Sequence, residues 1–172
     1  MTATGDGAMR RLWARLRGAG GSNRLDPDRA DLVVVASGFD DAEACSTSLA
    51  RATGWIAERP VVLRHLLVLP GDAIDDAAAT VAQDGYRISP ADPATAGPDP
   101  HPGSGPDPHP GSDSAAPPGS TPDGQRVIFE RVQILDALHC SQERSRMAGL
   151  AQRRGGTVLG WLALQPPVPP GR

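Results

Sequence analysis

Four side chains in this sequence have the chemistry to hold a metal or to act as nucleophile and base: Cys45, His65, His139 and Cys140. Zinc and redox sites usually show such ligands paired at short spacing, as in C-x-x-C or H-x-x-x-H, because one rigid element then aims both at the ion. Neither pairing occurs. A free cysteine on the apolar side of a helix reads first as a small core residue. His139 beside Cys140 could in principle activate a thiolate, but the pattern offers no second group to orient the imidazole.

Two further histidines, His101 and His109, hold equivalent places in an identical tandem octapeptide, GPDPHPGS, over residues 97–104 and 105–112. With Asp99 and Asp107 they supply ligand types for loose metal binding, yet no helix or strand fixes their geometry. Replication slippage in a tolerant loop explains the repeat more simply. The expectation is therefore no catalytic residue, no metal site and no cofactor, so the chain is read as not an enzyme.

Arg144, Arg146, Arg153 and Arg154 fall on or just after a helical segment, with Glu143 among them. Such a face can grip an RNA backbone or an acidic protein segment; a solvated, mixed-charge face is the blander alternative. The formal net charge of −3 argues against a dedicated nucleic-acid binder. Aromatic residues are also few: Phe39, Phe129, Tyr86 and three Trp. They do not form the stacking set of an RNA-recognition sheet, so sequence-specific nucleic-acid binding is not expected. Every basic residue other than His is Arg, which together with abundant Ala, Gly, Pro and Asp reads as GC-rich genomic bias before it reads as selection for guanidinium groups.

These residues must be positioned by a patterned region that is smaller than the 172-residue chain. Residues 32–36 form a continuous run suited to a strand covered on both faces. A helix is expected next, capped by Asp40 with Glu43 three residues on, and with Ala42, Cys45, Leu49 and Ala52 on one face. Gly54 ends it and Trp55 begins the return. The device recurs with a strand over residues 66–69, Asp72 as cap, and Ile74, Ala77, Ala78, Val81 and Ala82 at helical spacing. Gly85 is the stop, followed by Tyr86. A third unit has a strand over residues 127–135 and a helix over about 141–154 with Met147, Leu150 and Ala151 inward. Gly155 and Gly156 stop that helix, and residues 157–164 form a last strand with Trp161 as a core anchor.

Residues 1–30 are expected to be a flexible basic segment, in which residues 9–17 could form a short amphipathic helix touching a membrane or an acidic partner; a frayed end is the simpler reading. Residues 31–165 are expected to form a single domain. It is interrupted at 90–124 by a Pro-, Gly- and Asp-rich insert whose composition predicts disorder, and residues 166–172 form a disordered tail. No transmembrane segment is expected, since the longest apolar run, residues 61–69, contains Arg64 and His65. Two cysteines and no apolar leader fit a reduced, cytoplasmic location.

RHLLVLP at residues 64–70, GY at 85–86, MAGLA at 147–151 and GGTVLGW at 155–161 stand in an order similar to the bacterial ribonuclease E inhibitor family, regulator of ribonuclease activity B. The resemblance covers residues 61–164. The family tends to have a tyrosine and an aspartate before its Gly-Trp, where this chain has Val158 and Leu159. The resemblance implies an α+β, ferredoxin-like βαββαβ sandwich, here with an extra N-terminal βα unit. It also implies action without catalysis, by binding a ribonuclease E/G-type enzyme of the RNA degradosome. No partner-binding residue is carried over, and a monomer or a homodimer is equally compatible. The alternative is a small-molecule-sensing regulatory domain, because ferredoxin-like sandwiches often dimerise and hold ligands between helices.

Overall fold

The computed structural model describes residues 25–91 and 124–168. The amphipathic segment at 9–17, the tandem repeat with His101 and His109, and the end of the chain beyond residue 168 lie outside the described residues.

The elements are β1 (Val33–Gly38), α1 (Cys45–Ala50), β2 (Val61–Pro70), a single 3-10 turn (Gly71–Ala73), α2 (Ile74–Ala82), β3 (Arg87–Ile88), β4 (Gly124–Gln133), α3 (Ala137–Arg153) and β5 (Thr157–Gln165). They build an α+β fold on one five-stranded sheet of order β1-β5-β2-β4-β3. Each described pairing is antiparallel. β2 has neighbours on both sides, which explains its nearly unbroken Val and Leu content: a strand covered above and below has no polar face to keep.

Side chains alternate across this central strand. Val61 and Leu63 enter one cluster with residues of α1, α3 and β5, while Leu67 and Leu69 enter a second with α2, α3 and β4. Val62 and Leu66 point to the opposite face and meet Ile128, Leu162 and Leu164. Leu63 and Leu67 are fully buried, and each stabilises the fold by roughly 1.5–3 kcal/mol relative to an exposed side chain. Trp161 is also buried, as its place among alternating apolar residues predicts.

The face without helices is partly covered by Leu25, Leu32, Phe39 and Ala91. Glu130 is buried there and is held by Arg64 Nε at 2.8 Å and Arg87 Nε at 3.0 Å. Arg87 also pairs with Asp28, which ties the described end of residues 1–30 to the sheet. At the borders of the insert, Ala91 packs on the core and Gly124 already belongs to β4, opposite Pro70.

Several helix signals act differently from expectation. Asp40 accepts a hydrogen bond from the Ala42 N–H at 2.8 Å, forming a turn ahead of the helix, and α1 starts only at Cys45. Glu43 does not reach back to close a capping box, because Arg51 Nε at 2.8 Å and Ser48 Oγ at 2.7 Å hold its carboxylate. Asp72 sits inside the 3-10 turn and makes no capping bond. α3 begins at Ala137, four residues before the expected start at Ser141, since Asp136 caps it by accepting the His139 N–H at 2.7 Å. Trp55 is half-buried against the α1 cluster and leads into turns, and the return strand starts at Val61. Gly54 and Gly85 share a positive φ, 77° and 82°, but Gly85 closes its helix, with its N–H donating to the Ala82 carbonyl, whereas Gly54 lies in the turns four residues beyond the end of α1 at Ala50 and does not stop it. Among the described residues no helix is long and apolar enough to cross a membrane.

Candidate functional site

β2 turns His65 toward the helices, and its backbone partner across the β5 pairing is Trp161. Beside them β5 carries a bulge: Leu66 pairs with Gly160 but Leu67 with Val158, leaving Leu159 between. Gly160 is required for close approach, since a Cβ there would stand 2.5 Å from the Phe39 ring and 2.6 Å from the Gly38 carbonyl oxygen. Above this part of the sheet, α3 and the loop leading into α1 leave a groove of about 900 Å³, lined among others by Cys45, His65, Arg144 and Trp161.

Arg144 fixes the rim of the groove. Its guanidinium donates to the Glu43 carbonyl at 2.6 Å and the Asp41 carbonyl at 3.1 Å, and lies 3.7 Å from Cys45 Sγ. His65 is buried, and among the described residues neither of its ring nitrogens has a hydrogen-bond partner. Burial, reinforced by the nearby Arg131 and Arg144 charges, pushes its pKa down to about 3, so the imidazole is neutral near pH 7. Trp161 Nε1 is likewise buried without a partner. The groove thus pairs a mixed-charge rim, Arg144 with Asp41 and Glu43, with two buried polar side chains, His65 and Trp161, that have no hydrogen-bond partner among the described residues.

Next to it lies a paired polar network. Tyr86 donates its hydroxyl to Glu143 Oε2 at 2.8 Å, and Arg131 holds Glu143 Oε1 at 2.8 Å while its guanidinium carbon sits 4.8 Å from the Tyr86 ring centroid. Burial keeps the Tyr86 hydroxyl protonated well above its usual range. Arg146 continues the network outward to Asp84 at 2.5 Å.

Of the residues singled out by type, Cys45 and Cys140 come together in one buried cluster between α1 and α3. His139 faces outward while Cys140 faces the core, so the adjacent pair does not meet as base and thiol. The imidazole does have an orienting group, Asp136 Oδ2 at 2.7 Å from Nδ1, for which the signal was the cap position three residues earlier. Arg144 is engaged inside the fold, Arg146 and Arg154 pair at the surface with Asp84 and with Asp76 at 2.6 Å, and of the four candidate arginines Arg146 and Arg153 are exposed. Glu143, expected on a charged surface, is buried. Among the described residues no three His, Cys, Asp or Glu side chains gather as metal ligands.

Comparison with family models, with curated proteins and with solved structures returned no match.

Proposed function

We propose that this chain is a non-enzymatic regulator that binds a ribonuclease E/G-type endoribonuclease and inhibits or modulates RNA cleavage through protein contact. One observation carries the reading: the four resembling segments occupy one continuous frame. RHLLVLP is the second half of β2, GY is the turn into β3, MAGLA supplies the inward face of α3, and GGTVLGW enters β5. The strand order β5-β2-β4-β3 supports a ferredoxin-like βαββαβ sandwich for this region, with β1 and α1 as the extra unit on its β5 edge. Val158 and Leu159, where the resembling family tends to have tyrosine and aspartate, are half-buried at the bulge and make this stretch apolar. An RNA-cleavage assay with the purified host nuclease, run beside a direct binding measurement, tests the proposal. Association tighter than ~10 μM with slower or altered cleavage is expected, and neither effect at that concentration would remove the reading.

The groove under α3 favours the second reading, a small-molecule-sensing domain, because it sets unpaired buried groups beside an accessible cavity. Under that reading a panel of polar metabolites should include one that raises the melting temperature, and that goes on raising it with the logarithm of concentration above its Kd.

A further inference from the structure

The chain has two cysteines, and the fold brings both together although they lie far apart in sequence. Cys45 is the first residue of α1 and Cys140 lies in the first turn of α3. The Arg144 guanidinium donates to Cys45 Sγ at 3.7 Å, and Cys140 packs with Cys45 in the same buried cluster. Arg144 is not free to swing away, because the carbonyls of Glu43 and Asp41 hold it. The two sulfurs also differ in access. Cys45 lines the groove, whereas Cys140 is sealed in the core and burial pushes its thiol pKa up.

We propose that Cys45 and Cys140 form a reversible intramolecular disulfide, with hydrogen peroxide or a related hydroperoxide as oxidant and Cys45 as the attacking sulfur. Cys45 Sγ attacks one peroxide oxygen and the O–O bond breaks. The departing oxygen takes the Cys45 proton and leaves as water, so Cys45 becomes a sulfenic acid. Cys140 Sγ then attacks the Cys45 sulfur, the S–O bond breaks, and the hydroxyl leaves with the Cys140 proton as a second water. Two thiols lose two electrons and one peroxide gains them. As the sulfur gives up its electron pair, negative charge develops on the departing oxygen, and the Arg144 guanidinium, 3.7 Å from Cys45 Sγ, places a cation beside the reacting atoms. The bridge fastens α1 and its preceding loop to α3 across the rim of the groove. This goes beyond contact with a ribonuclease and does not depend on it, since the chemistry is carried by this chain alone.

The test treats the full chain with hydrogen peroxide, removes the oxidant, and then unfolds the chain in denaturant with an alkylating agent present, so that the buried Cys140 is reached wherever it is still a thiol. Expected are loss of both alkylatable thiols, an intact mass lower by two hydrogens, and a crosslinked peptide containing Cys45 and Cys140. A rise in melting temperature that dithiothreitol reverses should accompany them. In Cys140→Ser, dimedone should trap a sulfenic acid on Cys45, and in Cys45→Ser the remaining thiol should stay alkylatable. Both thiols still alkylatable in the oxidised wild-type protein, or a bridge found only between two chains on a non-reducing gel, would overturn the proposal without reference to either variant's stability.

Discussion

Tyr86 and His65 lie with their ring centroids 6.0 Å apart on the helix-covered face of the sheet, yet their polar atoms are treated in opposite ways. Toward β3 and β4, Tyr86 and Arg131 each hold one oxygen of the Glu143 carboxylate, although Arg131 Nε and Gln133 Nε2 are buried there without a partner among the described residues. Toward β5 and β1, His65, Trp161 and Trp55 present buried nitrogens with no partner among the described residues. An unpaired buried polar group costs about 1–3 kcal/mol, and on the β5 side the unpaired ring nitrogens of His65 and Trp161 have no ion-paired network like that of Glu143 beside them to offset it. The difference teaches that the two halves of one helix-covered face serve different ends: one fastens the fold, the other lies beneath the groove.

The largest effect should come from removing the shared wall. Trp161→Ala should destabilise the protein by about 3–5 kcal/mol in chemical unfolding, as expected for a buried aromatic. Glu143→Gln should break the paired half by stranding Arg131 and weakening the bond to Tyr86, with a loss of about 3 kcal/mol in the same measurement. A loss below about 1 kcal/mol would mean that the network is no better satisfied than the half beside it.

The unpaired half should respond with the opposite sign. His65→Leu should be neutral or stabilising at pH 8, and it should flatten the acid limb of stability. In the folded chain His65 has its pKa depressed from 6.5 to about 3, so the unfolded chain binds the proton first as pH falls. Its contribution is intact above pH 6.5 and is lost progressively below it, by about 2 kcal/mol between pH 6.5 and 5. Melting curves of wild type and His65→Leu across that window should therefore diverge on acidification, with the wild type falling progressively below the variant. At the small end, Leu138→Ser on the exposed groove rim should change stability by less than about 0.5 kcal/mol.

Much of this architecture was legible from local signals. The Gly-aromatic pair at Gly85-Tyr86, the inward triplet Met147, Leu150 and Ala151, and the β2 and β5 runs all rest on periodicity and stop residues, which the chain carries within a few positions. The caps were harder. Asp40 and Glu43 have the right spacing, but Arg51 and Ser48 compete for the Glu43 carboxylate, a contest that spacing alone does not reveal. The candidate site was scarcely legible. Its members are set by which strands neighbour β2 and by how α1 leans on α3, so neither the meeting of Cys45 with Cys140 nor the isolation of His65 leaves a mark in local sequence.

The sheet order also sets a timetable. β5 emerges from the ribosome after every other described strand, yet it is inserted between β1 and β2. Until it is synthesised, β1 has no strand to pair with and β2 has one open edge, so the nascent chain carries unsatisfied backbone along its most apolar strand. Assembly of this half must wait for β5, and a chain stalled before Thr157 would present β2 to aggregation partners and to the chaperones that shield such edges.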